Sequence, residues 1–325
     1  MVSVIALCYN HEEYVQEALL SVVEQDFSHF QLIIVDDASQ DKSVAEIEYF
    51  LQKNQEKLAE KYIETTFIRN EKNIGNCKSF NKALALATQK YVIDFSTDDI
   101  LLPQRLKKQV EMLEKLPNHY AVCFSNAQLI SHDKKPLCYH YPINSEGRAI
   151  EKIPSGDIYA EILQRYFVCT PTMLIKREVL LAIGGYDETL SYEDFDFWIR
   201  TARHYHYAYL DEVTTLKRIV KNSLSSHFFQ KRPVSFLHST HKVFAKAIAQ
   251  NTPYENQLLA KQIRYYLRLA FFTQTFEYVS LFYAQLQVCR SVDFLSLIIK
   301  QLSRWKVPVY RLYRWYKKWQ TLALC

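Results

Sequence analysis

The feature that most constrains the fold is an alternation of strand-like and helix-like segments in the first hundred residues. Stretches with helical spacing separate four short runs that are rich in apolar and β-branched residues. These runs are Val2–Leu7, Gln31–Val35, Thr65–Arg69 and Lys90–Phe95. Continuous apolar runs of this kind are typical of strands buried in a parallel sheet. We therefore predict an α/β fold with βαβ units, in which a mixed, mostly parallel sheet is flanked by helices.

The remaining elements follow from the same patterns. Asn10 is expected to cap the first helix, and further helices are expected over 41–61, 78–88 and 177–183. Additional strands are expected over 121–124, 172–175 and 208–210. Beyond residue 225 the pattern becomes helical and basic, which predicts a helical C-terminal region.

The charge distribution also changes near residue 225. Residues 226–325 contain 15 Lys or Arg and 3 Asp or Glu, a balance of +12, whereas the other 225 residues have a balance of −7. Three of the four Trp lie in the last 21 positions. This break predicts two domains, a catalytic domain over 1–225 and a basic, aromatic-rich helical region over 226–325.

Composition excludes several classes of protein. With only five glycines, the chain contains neither a P-loop nor a glycine-rich dinucleotide fingerprint. Its seven cysteines are odd in number and show no CxxC spacing, so reduced thiols and a cytoplasmic protein are expected. The N-terminus does not resemble a signal peptide, and no apolar run reaches the roughly 18 residues of a spanning helix. No nucleic-acid recognition module is evident.

Two acidic pairs, Asp36-Asp37 and Asp98-Asp99, directly follow the second and fourth predicted strands. Ligands of open α/β sheets bind beyond the carboxyl ends of the strands, and adjacent carboxylates suit Mg²⁺ or Mn²⁺ bound to a diphosphate. The alternative is that Asp is simply common in turns and at helix N-caps.

A third acidic pair, Glu193-Asp194, precedes the helical run that begins at Phe195. A carboxylate near the positive end of a helix stays ionised, which suits a general base. The alternative, which this motif alone favours, is an acidic first turn that merely stabilises the helix. Gly184 and Gly185 are expected to end the preceding helix in a left-handed conformation.

Five motifs, in order, resemble those of family 2 glycosyltransferases with the GT-A fold, of the bacterial surface-polysaccharide type. They are Val2–Ile5 with Tyr9-Asn10, Val35–Asp41, Asn73–Gly75 with Asn81, Asp94–Asp99 with Pro103, and Gly184–Glu188 with Tyr192–Arg200. Together they extend from residue 2 to about 225.

The resemblance implies a site for a nucleotide-sugar donor, with UDP the expected nucleotide. Tyr9 would pack against the base and Asp37 would hydrogen-bond to it, while Asn73 would belong to the same binding site. Asp98 would contact the ribose or the metal shell, and Asp99 would hold Mn²⁺ or Mg²⁺ on the donor diphosphate.

The implied reaction is a single inverting displacement at the anomeric carbon. Asp194 would take the proton from an acceptor hydroxyl, and Glu193 would help to place the acceptor, a saccharide or a lipid-linked saccharide. This requires Asp99 and Asp194 to converge on one cleft. The alternatives are a catalytically silent carbohydrate-binding partner and a sugar nucleotidylyltransferase, although Leu7–His11 does not resemble the latter's glycine-rich loop.

The chain departs from the family pattern at three positions. Ser96 stands at the first position of the DxDD metal motif, Val220 replaces the His of the YRxH stretch, and Ala38 replaces the glycine of DDGS. The first two substitutions leave Asp98 and Asp99 as the expected metal ligands.

The C-terminal sequence predicts a basic amphipathic helix after Pro308. Val309, Leu312, Tyr316 and Trp319 would share one face, with Arg and Lys beside it. Such a helix suits peripheral contact with an anionic membrane at the inner face of the cell membrane. It could instead pack as a helical cap on the catalytic domain or form an oligomer contact.

Overall fold

The computed structural model describes residues 1–220, 231–310 and 313. The chain forms two compact units. The first consists of residues 1–158, 167–188 and 196–220, and the second of 159–166, 189–195 and 221–325. The second unit thus also takes two short segments from before residue 225, and the division of the chain at 225 stays a prediction.

The first unit is built on a nine-stranded sheet. Its strands are β1 Val2–Cys8, β2 Gln31–Asp36, β3 Glu64–Arg69, β4 Tyr91–Ser96, β5 Ile100–Leu101, β6 Tyr120–Ile130, β7 Pro136–Tyr139, β8 Leu174–Lys176 and β9 His206–Arg218. Their order is β3-β2-β1-β4-β8-β6-β9-β5, with β7 beside β6. The first four strands pair in parallel, and β8 pairs antiparallel with both β4 and β6. The predicted α/β fold with a mixed, mostly parallel sheet is confirmed.

Helices accompany the sheet on both faces. Those that lie mainly in the first unit are α1 Val15–Val23, α2 Ser43–Lys53, α3 Gln55–Glu60, α4 Asn76–Leu84, α5 Arg105–Lys115, α7 Arg177–Ala182 and α8 Asp194–Ala202. Alternate residues of β1, such as Val2 and Val4, share one core cluster with α1, α2, α3 and α5. Helix α4 contacts β1 and β2, but its buried residues lie outside that cluster, which places it on the opposite face.

Two helix predictions need correction. The segment predicted as one helix over 41–61 is divided at Asn54 into α2 and α3. Asn10 does not cap α1, which begins only at Val15. Instead Asn10 adopts a left-handed backbone (φ 57°), and its side-chain oxygen accepts a hydrogen bond from the Gln40 backbone N–H (2.8 Å). A turn-forming asparagine therefore joins the loops that follow β1 and β2.

The second unit is helical. Among the described residues it contains α6 Tyr159–Gln164, α9 Val234–Gln250, α10 Pro253–Phe272, α11 Phe276–Val288 and α12 Phe294–Arg304. Thr252 and Glu255 form a capping box at the start of α10, which supplies partners for backbone N–H groups that the helix leaves unpaired. Large apolar side chains form its core, among them Phe244, Leu267 and Phe282. The predicted helical C-terminal region is confirmed for these residues.

The amphipathic helix predicted after Pro308 falls mostly outside the described residues. Of its positions after Tyr310, only Tyr313 is described, and its ring stacks on Phe272 at 5.4 Å between centroids. Separately, no helix among the described residues combines the length and the apolar character needed to cross a membrane.

Two predicted motifs meet at the end of α7. Gly184 and Gly185 both adopt φ +75°, as expected for a glycine helix end, and the Gly185 N–H donates back to the Leu180 carbonyl (2.8 Å). Asn81 of α4 accepts a hydrogen bond from the Tyr186 N–H (2.9 Å) and donates to the Tyr186 carbonyl (2.8 Å). A Cβ added to Gly185 would overlap the Asn81 side chain, so glycine is required for both backbone and space.

We expect Gly185→Ala to lower the free energy of unfolding by about 3 kcal/mol or more, because left-handed strain adds to a clash inside a packed junction. Gly184→Ala is the matched control, because its φ is also +75° while nothing lies within 4 Å of its added Cβ. The control should lose only about 1–2 kcal/mol, from strain alone. Denaturant unfolding of both variants would check this, and equal losses would contradict the packing argument.

Candidate functional site

The candidate site lies at the edge of the sheet where three parallel strands end. β1 is the central strand: its Cys8 carbonyl accepts the Asp37 N–H (2.9 Å), and its Leu7 carbonyl accepts the Thr97 N–H (3.0 Å). Because neighbouring strands are about 4.8 Å apart, β2 and β4 lie about 10 Å apart on either side of β1. Tyr9 follows β1 between them, and its side chain is 43% exposed. The structure thus brings the donor-side residues predicted from sequence to one edge.

Asp37 holds the loop that leads into α4. Its Oδ1 accepts hydrogen bonds from Asn70 Nδ2 and from the Ile74 N–H, and its Oδ2 accepts the Gly75 N–H, each at 2.9 Å. A carboxylate has about four acceptor positions, so about one remains for a ligand. The predicted contact between Asp37 and a base stays a prediction. Asn73 lies in the same loop and is exposed.

The neighbouring Asp36 organises the turn after β2. Its two oxygens accept hydrogen bonds from the Ser39 backbone N–H (3.0 Å) and from the Ser39 hydroxyl (2.5 Å). Ala38, between the two acids and the serine, has φ +62°. The family's glycine at this position therefore has a backbone reason, and this chain adopts the left-handed turn despite its Cβ.

Asp99 is nearly buried, with 4% of its surface exposed. Its Oδ1 accepts a hydrogen bond from the Arg218 backbone N–H (2.8 Å). Burial, and then the charge of Asp98, raise the pKa of Asp99 to about 8. Asp98 is more exposed and accepts a hydrogen bond from the Ser96 hydroxyl (2.5 Å). The Ser96 that departs from the DxDD pattern thus orients a carboxylate.

Sequence reasoning missed the role of Arg218, which locks this acidic turn in place. Its side chain is 1% exposed. The guanidinium donates to the carbonyls of Asp98 (2.9 Å) and His132 (2.8 Å) and to the Glu17 carboxylate (2.9 Å), and it lies 4.7 Å from the ring centroid of Tyr14. The YRxH resemblance was the available signal, since Arg218 occupies the position of its arginine.

Arg105 was also missed, and it lies fully buried behind the site. It donates to Gln109 Oε1 (3.2 Å), Thr215 Oγ1 (2.9 Å) and the Met173 carbonyl (3.2 Å). Burial lowers the pKa of Arg105 to about 10, while the charge of Asp99 is among the influences that raise it. A buried cation near Asp99 partly offsets the cost of holding that carboxylate away from water.

The donor set at Asp98 and Asp99 fits a divalent cation in part. No group of three or more His, Cys, Asp or Glu is arranged to hold a metal ion in the described part of the chain. The two adjacent carboxyls repel each other and Asp99 is poorly hydrated, and a divalent cation would relieve both effects. Mg²⁺ needs only one or two protein carboxylates when substrate phosphates and waters supply the other ligands. Val220 offers no side-chain ligand.

Asp194 is the first residue of α8, as predicted, and its Oδ1 accepts the Phe195 N–H (2.7 Å). Asp194 and Glu193 are both partly exposed and belong to the second unit. There the Tyr192 hydroxyl hydrogen-bonds to Thr240 (2.8 Å), which ties this segment to α9. Asp98 and Asp99 belong to the first unit, so the convergence of Asp99 and Asp194 stays a prediction.

The next acid in the same motif has a structural role. Asp196 is fully buried and accepts a hydrogen bond from Arg200 Nε (2.7 Å). Arg200 also donates to the carbonyls of Ile183 (2.7 Å) and Gly185 (2.8 Å). This ion pair therefore fixes the glycine turn to α8, a role that the motif alone did not indicate.

Comparisons with known proteins agree with this geometry. The model of the family described as "Glycosyl transferase family 2" matches residues 3–184. An uncharacterized glycosyltransferase from Methanocaldococcus jannaschii is 29% identical over 243 residues, which cover 71% of this chain and 78% of that protein. TuaG of Bacillus subtilis, a putative teichuronic acid biosynthesis glycosyltransferase, is 28% identical over 228 residues, which cover 70% of this chain and 82% of TuaG.

Solved structures show a similar fold. Residues 1–349 of S. aureus TarS, in complex with UDP-GlcNAc, align with a TM-score of 0.69 at 19% identity, covering 96% of this chain and 91% of that one. The mannosyltransferase PcManGT from Pyrobaculum calidifontis, in complex with GDP-Man and Mn²⁺, aligns with a TM-score of 0.57 at 16% identity, covering 98% and 83%. At these identities the likeness concerns the fold alone, the GT-A fold of TarS.

We expect Arg218→Met to lower the free energy of unfolding by about 3 kcal/mol, because several buried acceptors lose their donor together. Arg69→Met is the matched control, since Arg69 pairs with Glu48 at 3.0 Å while both side chains are more than half exposed. The control should lose less than about 1 kcal/mol. Denaturant titrations followed by circular dichroism would check this, and a loss in Arg218→Met as small as in the control would contradict the locking role.

Proposed function

This chain belongs to glycosyl transferase family 2, and we propose that it moves a sugar, a hexose or N-acetylhexosamine, from a UDP-sugar donor to a saccharide or lipid-linked acceptor. The acceptor would belong to cell-surface polysaccharide synthesis, such as that of a capsule, lipopolysaccharide or exopolysaccharide. The observation that carries the proposal is the placement of Tyr9, Asp37, Asp98 and Asp99 at one sheet edge. The likeness to TuaG and to TarS bound to UDP-GlcNAc supports the choice of polymer and donor.

On the donor side, four residues would divide the work. Tyr9 offers an exposed ring for the base at the end of β1. Asp37 has an acceptor position left for a base N–H, and Asn73 is accessible on the loop that Asp37 holds. Asp98, partly exposed, would face the ribose or the metal shell.

Asp99 and Asp98 would hold Mn²⁺ or Mg²⁺ together with the donor diphosphate. The bound cation would act as a Lewis acid that neutralises the negative charge developing on the leaving diphosphate. The protein's own contribution is to keep the Asp98-Asp99 turn rigid, which Arg218 does through its backbone N–H and its guanidinium. A preorganised carboxylate pair needs little rearrangement when the donor binds.

On the acceptor side, Asp194 would remove the proton from the attacking hydroxyl, and Glu193 would help to place the acceptor. At the first turn of α8 the helix dipole favours the ionised carboxylate, as a base requires. A single displacement inverts the anomeric configuration, so only one carboxylate base is needed at the sugar. Catalysis, including the placement of the acceptor by Glu193, would belong to the region 1–225, and the helical region that follows would bring the active site near a lipid-linked acceptor.

A lipid-linked acceptor would be met at a membrane surface. We infer a cytoplasmic protein that binds peripherally to the inner face of the cell membrane through its C-terminal region. The excess of Lys and Arg in residues 226–325 supports this, because anionic lipids attract basic surfaces.

Metal dependence of donor binding should be measurable by calorimetric titration of UDP. We expect Mn²⁺ to raise UDP affinity in the wild type, and Asp99→Asn to reduce that gain about tenfold, because the amide keeps the acceptor for Arg218 N–H but loses the charge. Asp26→Asn, at an exposed carboxylate, is the control and should behave as wild type. Equal UDP affinity with Mn²⁺ and with EDTA in the wild type would contradict the metal assignment.

The proposed role of Asp194 as the general base can be tested by measuring the rate of sugar transfer. Asp194→Asn should lower sugar transfer by about 10²–10⁴-fold, because the general base is lost, while UDP affinity stays at the wild-type value. Asp157→Asn, which removes an exposed carboxylate, serves as the control. Release of UDP from a panel of UDP-sugars, followed by mass spectrometry, reports catalysis without a known acceptor. Full turnover in Asp194→Asn would remove it from this role, and a wild type that binds sugars but neither transfers nor hydrolyses would indicate a carbohydrate-binding partner.

A further inference from the structure

Helix α12 (Phe294–Arg304) buries the polar side of an amphipathic sequence. Its buried residues are Ser296, Ile299 and Ser303, two of them serines. Its large apolar side chains are exposed instead: Phe294 by 78%, Leu297 by 50%, and Leu295 and Ile298 by more than a third. A helix that packs on its own unit normally does the reverse.

Four of the exposed apolar residues lie on one side of the helix, where the exposed Gln301 is the polar residue among them, and Leu295 lies beside this arc. At 100° per residue, Phe294, Leu297 and Ile298 project within about 100° of one another, and Trp305, directly after the helix, falls inside the same arc. Trp305 is 73% exposed. We call these four residues the α12 apolar face, which extends about 16 Å along the helix. Large apolar side chains exposed together on one side of a helix mark an interaction site.

The surroundings of the α12 apolar face are basic. Lys300 and Arg304 lie at one margin of the helix, and Lys300 Nζ is 3.9 Å from the ring centroid of Tyr283. Asp293 is the only acid between residues 288 and 310. Its Oδ1 accepts the Ser296 N–H (2.8 Å) as the helix cap, and two arginines of α10 lie 3.8 Å from its other oxygen. The margin therefore presents net positive charge.

The α12 apolar face could be covered by a second copy of the chain, by residues 311–325 or by a lipid surface, and charge distinguishes between them. A symmetric contact with a second copy would place the same basic margin against itself, and like charges across an interface are unfavourable. Residues 311–325 of this chain are basic as well, with four Lys or Arg and no acid. An anionic lipid surface complements both features, because its acyl region accepts Phe and Trp side chains and its headgroups attract Lys and Arg.

We propose that the α12 apolar face binds the surface of an anionic phospholipid bilayer, with Phe294, Leu297, Ile298 and Trp305 in the acyl boundary and Lys300 and Arg304 at the headgroups. This membrane contact deepens the proposed function and rests on it, because the contact serves the enzyme only if the acceptor is bound to a membrane. It belongs to a described helix rather than to the basic sequence after Pro308.

The test is co-sedimentation of the full chain with vesicles of phosphatidylcholine alone or of equal parts phosphatidylcholine and phosphatidylglycerol. We expect binding only to the mixed vesicles, and a loss of about tenfold or more in the partition coefficient for Phe294→Ser/Leu297→Ser, since two apolar side chains leave the acyl boundary. The matched control is Tyr62→Ser/Leu137→Ser, which removes two side chains of similar exposure (66% and 56%) from the other unit and should bind as wild type.

The charged margin has its own variant. Lys300→Gln/Arg304→Gln should weaken binding to the mixed vesicles about 30-fold, because each basic residue near an anionic surface contributes about 1 kcal/mol and two are removed. Raising the salt concentration should reduce the wild-type binding in the same direction.

Three outcomes would overturn the proposal. One is a Phe294→Ser/Leu297→Ser variant that binds vesicles as the wild type does. If Trp315→Ser/Trp319→Ser then loses binding, the contact belongs to the sequence after Pro308 instead. Another is a wild type that does not bind mixed vesicles. The third is a wild type that is dimeric by analytical ultracentrifugation and becomes monomeric in Phe294→Ser/Leu297→Ser. Hydrolysis of UDP-sugars without vesicles is the separate readout, because it tests the transferase proposal alone and should be unchanged in these variants.

Discussion

The parallel hydrogen bonding of β1 between β2 and β4 determines where everything else in the candidate site can lie. Because the three strands run in the same direction and in register, their ends release the chain at one edge. The turns after β2 and β4 then present Asp37 and Asp98 on either side of Tyr9. No single side chain creates this arrangement, since it follows from strand direction and from continuous burial of the three apolar runs.

At this edge the fold keeps ionisable groups out of water and gives each of them hydrogen-bond partners, although burial still raises the pKa of Asp99 to about 8. Asp99 is held by the Arg218 N–H and lies near the buried Arg105, while Arg218 itself reaches Glu17 on α1. Removing water from such groups is costly, so their geometry must be well satisfied. The result is a rigid acidic turn whose carboxylates already stand together before any ligand arrives, which is the arrangement that binding of a charged diphosphate requires.

Much of this was accessible from sequence because strand-forming runs and strand-end acids are local signals. The parallel strands, the glycine helix end at Gly184 and the start of α8 at Asp194 were predicted for that reason. Arg105 was not, because its partners are distant in sequence and a buried arginine has no local pattern. Arg218 was not either, because the family motif marks its position without indicating its partners. The prediction that Asn10 caps α1 was wrong, because an asparagine before a helical run indicates a helix cap and a left-handed turn equally well. The outward apolar face of α12 was equally hidden, since an amphipathic pattern does not say which side is buried.

The junction between Asn81 and Gly185 has a consequence for how related sequences can diverge. The amide of Asn81 occupies the space that any side chain at position 185 would need, and it also satisfies both backbone groups of Tyr186. Neither position is therefore free to drift alone. In a related sequence, a larger residue at position 185 requires a shorter one at position 81 and new partners for the Tyr186 N–H and carbonyl. We therefore expect substitutions at the two positions, although they are distant in sequence, to occur together.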